Sequence, residues 1–225
     1  MHEHGQSPDP HDTGLRKGQR TAERLLDAAE RLFADRGYEA TALRDVAEAV
    51  NIRQPGLYRH FDSKDALYRR VLERTLEPLT RELEAAMQRP ADAASFRTLT
   101  DRLVDVLARN PHIPSLLIRS LLSPPSERDV IGLEWVERLA DYGRRITRAA
   151  DLTPDAPELA MQIVAIFNLM FGYFWAAPLI RSLSGVDPIA PDMIAGQKAL
   201  LARLVNALNS GPGAGPVPDG PPLGV

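Results

Sequence analysis

Residues 54–61 contain several side chains that can donate hydrogen bonds. Gln54 and Arg59 lie close together within residues 54–61, and both side chains carry donors that match the edges of DNA bases. Gly56 lies between them and would let the backbone approach a ligand closely, because it has no side chain. Donors of this kind could read the base edges of double-stranded DNA. The residues expected to face the DNA are Arg53, Gln54, Gly56, Tyr58, Arg59 and His60.

Two residues that flank this stretch are suited to bind phosphate. Lys64 falls in the predicted first turn of a helix, where a cation opposes the helix dipole and a bound phosphate would remove the conflict. The amides of that helix N-terminus would bind the same phosphate. The hydroxyls of Thr41 and Tyr58 can donate to neighbouring phosphates. A lone lysine would be read as a solvated surface residue, but this combination favours phosphate contact.

Helices must position these residues, and helical periodicity dominates the whole sequence. We predict a first helix from about Gly18 to Arg36 that Gly37 ends in a left-handed conformation. A short second helix follows with Thr41 as its N-cap. The turn after it contains Asn51, which tolerates a left-handed backbone. The third helix is predicted to span residues 54–61, with Ile52, Leu57 and Phe61 packed against Val46 and Leu32.

Proline and glycine divide the remainder of the chain into longer helices. Asp62 and Ser63 are expected to cap a fourth helix, which Pro78 should kink or end. Further helices are predicted at about 93–109, 112–122, 127–150, 157–183 and 190–209. The expected fold is all-α with about nine helices. The predicted divisions are a disordered tail (1–15), a three-helix helix-turn-helix domain (16–70), a larger C-terminal helical domain (71–209) and a disordered Pro/Gly tail (210–225).

Charge is distributed unevenly along the chain. The formal net charge is -3, but residues 16–70 contain twelve Lys and Arg against nine Asp and Glu, which leaves the remainder at -6. This asymmetry favours an orientation in which the basic N-terminal region faces a polyanion and the acidic remainder faces away from it.

Other functional classes find little support in the residues. The chain has no cysteine, which excludes disulfides and thiolate metal sites and fits a cytoplasmic location. No nucleotide-binding loop, zinc-protease motif or nucleophile elbow is present, so we expect neither an enzyme nor a cofactor or metal. The 22-residue uncharged run from Leu159 to Ile180 could span a bilayer, but its internal Asn168 and Pro178 favour a buried helix and no membrane.

The segment from Thr41 to Lys64 resembles the DNA-binding segment of the TetR family of transcriptional regulators. Its matching positions are Thr41, Val46-Ala47, Ile52, Leu57-Tyr58, Phe61 and Lys64. Asn51 stands where the family usually has glycine. Arg53 replaces a small hydroxyl residue and puts the cap of the third helix in doubt.

This resemblance implies a ligand-responsive homodimer that binds a palindromic operator, usually as a repressor. In the family, the last two helices dimerise and the larger domain holds a small-molecule effector. The expected dimer residues are Gly172, Ile194, Leu201, Leu204, Val205 and Leu208. The expected effector pocket, largely apolar, comprises Phe96, Leu99, Leu103, His112, Leu117, Arg119, Leu121, Trp135, Leu139, Gln162, Phe167, Asn168, Met170, Phe171 and Phe174.

Two alternatives stay open from the sequence. One is a membrane-anchored DNA-binding regulator, which depends on the uncharged run. The other is a dimeric repressor with a filled core and no effector. The sequence leaves the effector, the operator and the regulated genes undefined.

Overall fold

The computed structural model describes residues 10–122, 130–149 and 156–209, and these residues form ten α-helices and no strand. The predicted all-α class is therefore confirmed. The helices are α1 (Pro10–Arg36), α2 (Leu43–Ala49), α3 (Gln54–Leu57), α4 (Lys64–Met87), α5 (Ala93–Arg109), α6 (His112–Leu122), α7 (Val130–Ala149), α8 (Ala156–Trp175), α9 (Ala177–Ser184) and α10 (Pro191–Asn209).

The first helix begins earlier than predicted and ends as predicted. Its first residue is Pro10 rather than Gly18, so residues 10–15 of the predicted tail are helical, with a proline at a position that needs no amide. Gly37 ends the helix with φ of 84°. The remaining tail residues, 1–9 and 210–225, lie outside the described residues.

The predicted eighth helix is two helices, which explains the difference between nine and ten. Helices α8 and α9 meet at Ala176, where ψ is 6° and the axis bends by 63°. Pro178 lacks the amide that would continue the hydrogen-bond ladder of α8, so the helix restarts. No single helix in the described part of the chain is long and apolar enough to cross a membrane; only the bent pair 160–175 and 177–184 meets that criterion together.

Helix α4 continues through Pro78. The sequence predicted that this proline would either kink or end the helix, and the predicted end is wrong. Ser63 caps the helix as predicted, because its Oγ accepts the amide of Ala66 at 3.0 Å.

The chain forms two compact units whose limits fall within helices. The first contains residues 10–84 and the described residues from 106 to 139. Its core is built by α1 to α4 and is completed by Leu116 of α6, with Ile131 of α7 packed against it. The helix-turn-helix therefore shares its core with α6. The predicted domain boundary at residue 70 stays a prediction.

The second unit contains residues 85–105 and the described residues after 139. Within it, α8 packs against α9 and α10. The side-chain Nε2 of Gln197 donates to the backbone carbonyl of Leu169 at 2.5 Å, and Lys198 pairs with Asp105 at 2.6 Å. These bonds hold α10 on α8 and on α5.

Candidate nucleic-acid interface

A tight turn joins α2 to α3 and sets the direction of the second helix. Asn51 adopts φ of 61°, the only positive φ of a non-glycine residue in the described part of the chain. The amide of Ile52 donates to the carbonyl of Ala47 at 3.0 Å and closes the end of α2. The predicted left-handed role of Asn51 is confirmed. Two short helices joined in this way, behind a long bracing helix, form a helix-turn-helix.

The segment predicted as the third helix is helical only in part. The α-helix ends at Leu57 rather than at Phe61. Beyond Leu57 the chain continues in tight turns. The backbone amides of His60 and Phe61 both donate to the carbonyl of Leu57, which lies three and four residues before them. We call residues 54–61 the recognition segment. Arg53 precedes it without a side-chain cap, which agrees with the doubt raised by its residue type.

The recognition segment has a buried side and an exposed side. Leu57 is fully buried, and Ile52 and Phe61 pack against the same core cluster as Val46. The predicted packing role of these residues is confirmed. On the other side, Tyr58 is 47% exposed and Arg59 is exposed. The predicted DNA-facing residues thus divide into exposed ones (Arg53, Tyr58, Arg59) and half-buried ones (Gln54, Gly56, His60).

Gly56 leaves space for a larger residue on the protein side. A Cβ added there would meet the side chain of Ile52 at 3.5 Å, an ordinary van der Waals distance. The fold therefore does not require glycine at this position. A requirement for glycine would come from whatever binds to the recognition segment.

Thr41 does not have either role that the sequence predicted. Helix α2 takes Ala42 as its N-cap and has no side-chain cap bond. Thr41 is 1% exposed, and its Oγ1 donates within the protein towards the carbonyls of Gly37 (2.8 Å) and Leu32 (3.2 Å). A hydroxyl has one proton to donate, so none remains for a phosphate. The contact instead fastens the start of α2 to the end of α1.

Lys64 lies in the first turn of α4, as predicted, and its charge is stabilised by the chain itself. Its Nζ donates to the carbonyl of Glu39 at 3.3 Å and lies 4.2 Å above the ring of Tyr38. The hydroxyl of Tyr38 donates to the carboxylate of Asp65. The sequence did not indicate this role of Tyr38, whose aromatic ring also contacts Phe33 and Tyr68.

Arg24 of α1 contacts the helix-turn-helix at its turn, which the sequence did not indicate. Its Nη2 donates to the carbonyl of Val50 at 3.0 Å, the residue that caps the C-terminus of α2. The negative end of the α2 dipole stabilises a cation there. Residues 20 and 24 also line a surface groove with Gln19 and Glu23.

A row of carboxylates on α1 binds one arginine of α4. Arg74 contacts Glu30 at 2.8 Å, Asp27 at 2.9 Å and Glu23 at 3.2 Å. Burial disfavours the guanidinium charge, but the hydrogen bonds and charges of Glu30 and Asp27 outweigh it and raise the pKa of Arg74. The sequence shows that the three acidic residues share one face of a helix. It does not show that their partner is Arg74.

The predicted pocket residues fall into the two compact units. Those in the first unit are His112, Leu117, Arg119, Leu121, Trp135 and Leu139. Trp135 lines a groove between α4 and α7 together with Glu73, Glu77, Glu134 and Arg138, so the rim of this groove is charged. Arg119 contacts α1, because its Nη2 donates to the carbonyl of Asp35 at 3.3 Å. Arg119 therefore contacts the end of α1, and its predicted contact with an effector stays a prediction.

The predicted pocket residues in the second unit are mostly buried within it: Phe96, Leu99, Leu103, Gln162, Phe167, Asn168, Met170, Phe171 and Phe174. Phe167 and Phe171 stack at 4.4 Å between ring centroids, and Phe96 stacks on Tyr142. Asn168 differs, because it is exposed and lines a groove between α8 and α10 with Gln197. Whether the two sets form one pocket stays a prediction.

Half of the predicted dimer residues are buried in the single chain. Ile194, Leu201 and Val205 are at most 9% exposed, since α10 packs them within its own unit. These three side chains are thus covered within their own unit and offer little surface to a partner, while the dimer contact itself stays a prediction. Leu204 and Gly172 are half-buried, and the side chain of Leu208 lies outside the described residues.

Several of the exposed apolar side chains lie on α8 and α9. Met161 (68%), Val164 (55%) and Trp175 (58%) share one side of this helix with Gly172, and we call these residues the outer face of α8. On α9, Leu179 and Leu183 are 58% and 79% exposed. A periodic pattern marks both sides of such a helix as apolar, so the sequence alone could not separate them. No group of three or more His, Asp or Glu that could hold a metal occurs in the described residues.

Comparison with known sequences connects this geometry to a class of proteins. A family model described as bacterial regulatory proteins of the tetR family matches residues 25–71, the helix-turn-helix and the start of α4. An HTH-type transcriptional repressor of Mycobacterium tuberculosis is 31% identical over 173 residues, which are 75% of this chain and 79% of the repressor. The HTH-type transcriptional repressor KstR2 of Rhodococcus jostii is 44% identical over 72 residues, 32% of this chain and 34% of that repressor.

Solved structures agree on the fold over most of the chain. A TetR-family transcriptional regulator from Bordetella parapertussis superposes with a TM-score of 0.65 at 16% identity, covering 84% of this chain and 93% of that one. The TetR-family regulator PfmR from Thermus thermophilus superposes with a TM-score of 0.60 at 19% identity, covering 85% and 100%. At 16% and 19% sequence identity, these superpositions show a shared fold and no more than that.

Proposed function

Because the chain belongs to the TetR family of bacterial transcriptional regulators, we propose that it is a homodimeric repressor that leaves a palindromic operator when a small, largely apolar effector binds. DNA-binding regulation is what its relatives share. Repression, the operator symmetry and the effector are the finer parts of the proposal. Such a regulator acts in the cytoplasm, where its DNA is.

The division of the recognition segment into two sides carries the DNA-binding role. Leu57 is fully buried and anchors the segment, so Tyr58 and Arg59 are held at the surface in a defined orientation. Arginine forms paired hydrogen bonds with guanine in the major groove, and the tyrosine hydroxyl can donate to a phosphate. Gln54 adds an amide suited to adenine. Lys64, at the start of α4, supplies positive charge beside this surface.

The outer face of α8 supports self-association. A large apolar side chain such as Met161 or Trp175 has a higher free energy in water than against another apolar surface. Several such side chains on one helix form a patch suited to a partner surface. In a two-fold dimer, each copy offers the same patch to the other. Two recognition segments roughly 34 to 36 Å apart would then read a palindromic site.

The aromatic residues of α8 support an apolar effector. Phe167, Phe171 and Phe174 lie along one stretch of this helix, and stacked rings of this kind line sites for apolar small molecules. An effector that favours a dimer with wrongly spaced recognition segments would release the DNA.

Selection of bound sequences from a random duplex library tests the DNA-binding role. We expect the purified protein to enrich a palindromic motif whose half-sites are about one helical turn or a small multiple of it apart. The double variant Tyr58→Ala/Arg59→Ala should lose this enrichment. The matched control Arg144→Ala/Arg148→Ala changes the second unit and should retain it. A wild-type protein that enriches no motif would refute the proposed function.

Release of the selected DNA tests the effector. Gel-shift titration with a library of apolar small molecules should identify compounds that weaken the complex at a fixed operator concentration. If no compound of the library changes operator affinity while several bind the protein, the alternative of a dimeric repressor without an effector is favoured.

A further inference from the structure

We propose that Lys17, Arg20 and Arg24 form a basic strip on α1 that contacts the DNA backbone beside the turn between α2 and α3. This inference rests on the proposed DNA-binding function. It adds a contact surface that lies outside the recognition segment and outside the segment from Thr41 to Lys64.

The three residues share one side of a helix. Their spacing of three and then four residues places them on adjacent turns of α1, about 10 Å from first to last at 1.5 Å per residue. All three are exposed. Because α1 begins at Pro10, this part of the helix extends well before the core contacts that start at Leu25.

One hydrogen bond fixes where this strip lies. Nη2 of Arg24 donates to the carbonyl of Val50 at 3.0 Å, and Asn51 follows as the left-handed turn residue that leads into α3. The strip therefore starts at the helix-turn-helix turn. Arg20 and Lys17 continue it away from the turn by one and two helical turns.

The acidic residues of α1 nearest to the strip lie on a neighbouring side of the helix. Glu23, Asp27 and Glu30 all face α4, where Arg74 binds them at 2.8 to 3.2 Å. Glu23 also borders the groove formed by Gln19, Arg20 and Arg24. Its carboxylate is directed to Arg74, so it does not cancel the strip. Between residues 17 and 30, α1 thus has an acidic side that contacts α4 and a basic side at the turn.

Because the strip lies beside the turn, a DNA duplex bound to the recognition segment would also contact the strip. Phosphates flank the major groove on both sides, so residues next to the turn that precedes a recognition helix lie near the backbone of the same duplex. Lysine and arginine that neutralise phosphates release counterions and increase affinity without reading sequence. The strip should therefore add affinity and salt dependence, and leave the choice of sequence to the recognition segment.

The salt dependence of binding to a fluorescein-labelled random-sequence duplex tests the strip, because this probe needs no knowledge of the operator. Fluorescence anisotropy titrations from about 50 to about 200 mM salt give the slope of log affinity against log salt. The variant Lys17→Gln/Arg20→Gln is compared with wild type and with the matched control Arg97→Gln/Arg148→Gln, which removes two exposed charges from the second unit. Arg24 is left in place because it also holds the turn.

We expect the slope of the strip variant to fall by about 0.9 for each phosphate contact removed, with each single variant giving about half of the effect. The motif enriched from a random library should be unchanged. Equal slopes for the strip variant and wild type, or an equal fall in the control, would overturn the strip and leave the proposed function standing. A wild-type protein that binds no duplex at any salt concentration would instead overturn the proposed function.

Discussion

Arg74 of α4 and Glu30 of α1 lie 2.8 Å apart at the least exposed end of a row of three carboxylates. The side chain of Glu30 is 22% exposed, whereas those of Asp27 and Glu23 are 57% and 65% exposed. Water screens the outer two pairs more strongly, so the three contacts differ in strength although their distances are similar. The pair joins the bracing helix of the helix-turn-helix to the helix that leads out of it.

Double-mutant cycles should therefore give a larger coupling energy for Arg74 with Glu30 than with Glu23. We expect about 1 to 2 kcal/mol for Arg74→Met with Glu30→Gln, since hydrogen bonds between charged groups are strong when partly buried. The Glu23→Gln cycle serves as the matched comparison and should give less than about 0.5 kcal/mol. Urea unfolding measures all variants. Equal couplings for the two acids would contradict the role of burial.

Leu57 and Tyr58 are neighbours whose substitution should have opposite consequences. Leu57→Ala removes a fully buried side chain and should lower the free energy of unfolding by about 2 to 5 kcal/mol. Tyr58→Ala changes an exposed side chain and should alter stability by less than about 0.5 kcal/mol. Chemical denaturation checks the first effect, and DNA-binding titration of Tyr58→Ala should show weaker binding. Normal DNA affinity in Tyr58→Ala would remove this residue from the interface.

Gly56→Ala should separate folding from DNA binding at a single atom. The added Cβ meets only ordinary contact with Ile52, and alanine is the better helix former, so the melting temperature should stay the same or rise. If the backbone approaches DNA closely here, the methyl group should weaken binding to the selected operator. Gly196→Ala on α10 is the control, because nothing lies within 4 Å of its added Cβ and it belongs to the second unit. A fall in melting temperature for Gly56→Ala would show that the glycine is required by the fold.

The outer face of α8 predicts which substitution should dissociate a dimer. Val164→Glu places a charge on a residue that is 55% exposed in the single chain, so folding should be preserved while a partner surface is repelled. Leu133→Glu on α7, where the side chain is 53% exposed, is the matched control. Sedimentation equilibrium should find more monomer for Val164→Glu only. The same mass for both variants would place the dimer contact elsewhere.

Local chemistry explains why much of the fold was predictable. The helices at 93–109 and 112–122 begin and end where predicted, because Asn110 and Pro111 interrupt a helix whatever surrounds them. Gly37 and Asn51 adopt left-handed conformations for reasons that belong to the residue itself. Leu57 is buried because its spacing places it on the apolar side of a short helix.

Distant contacts explain the errors. Thr41 looked like a cap or a phosphate donor, but the carbonyls of Leu32 and Gly37 come within reach only when α1 and α2 pack together. For Arg119, the sequence did not indicate that the packing of α6 would bring its side chain to the end of α1. The same holds for α10, whose apolar residues could face either a partner or its own chain. Periodicity identifies an apolar side and does not say what covers it.

The sequence by itself determined the helical class, the helix-turn-helix and the type of residue at each position of the recognition segment, because these depend on residues close together in the chain. Only the tertiary structure decided which donors are still available to DNA. The hydroxyl of Thr41 donates its hydrogen bond within the protein, whereas Tyr58 and Arg59 remain exposed at the surface. It also decided that Arg24 lies at the turn and Glu30 lies on Arg74. A side chain's partners are set by packing between helices that are far apart in sequence.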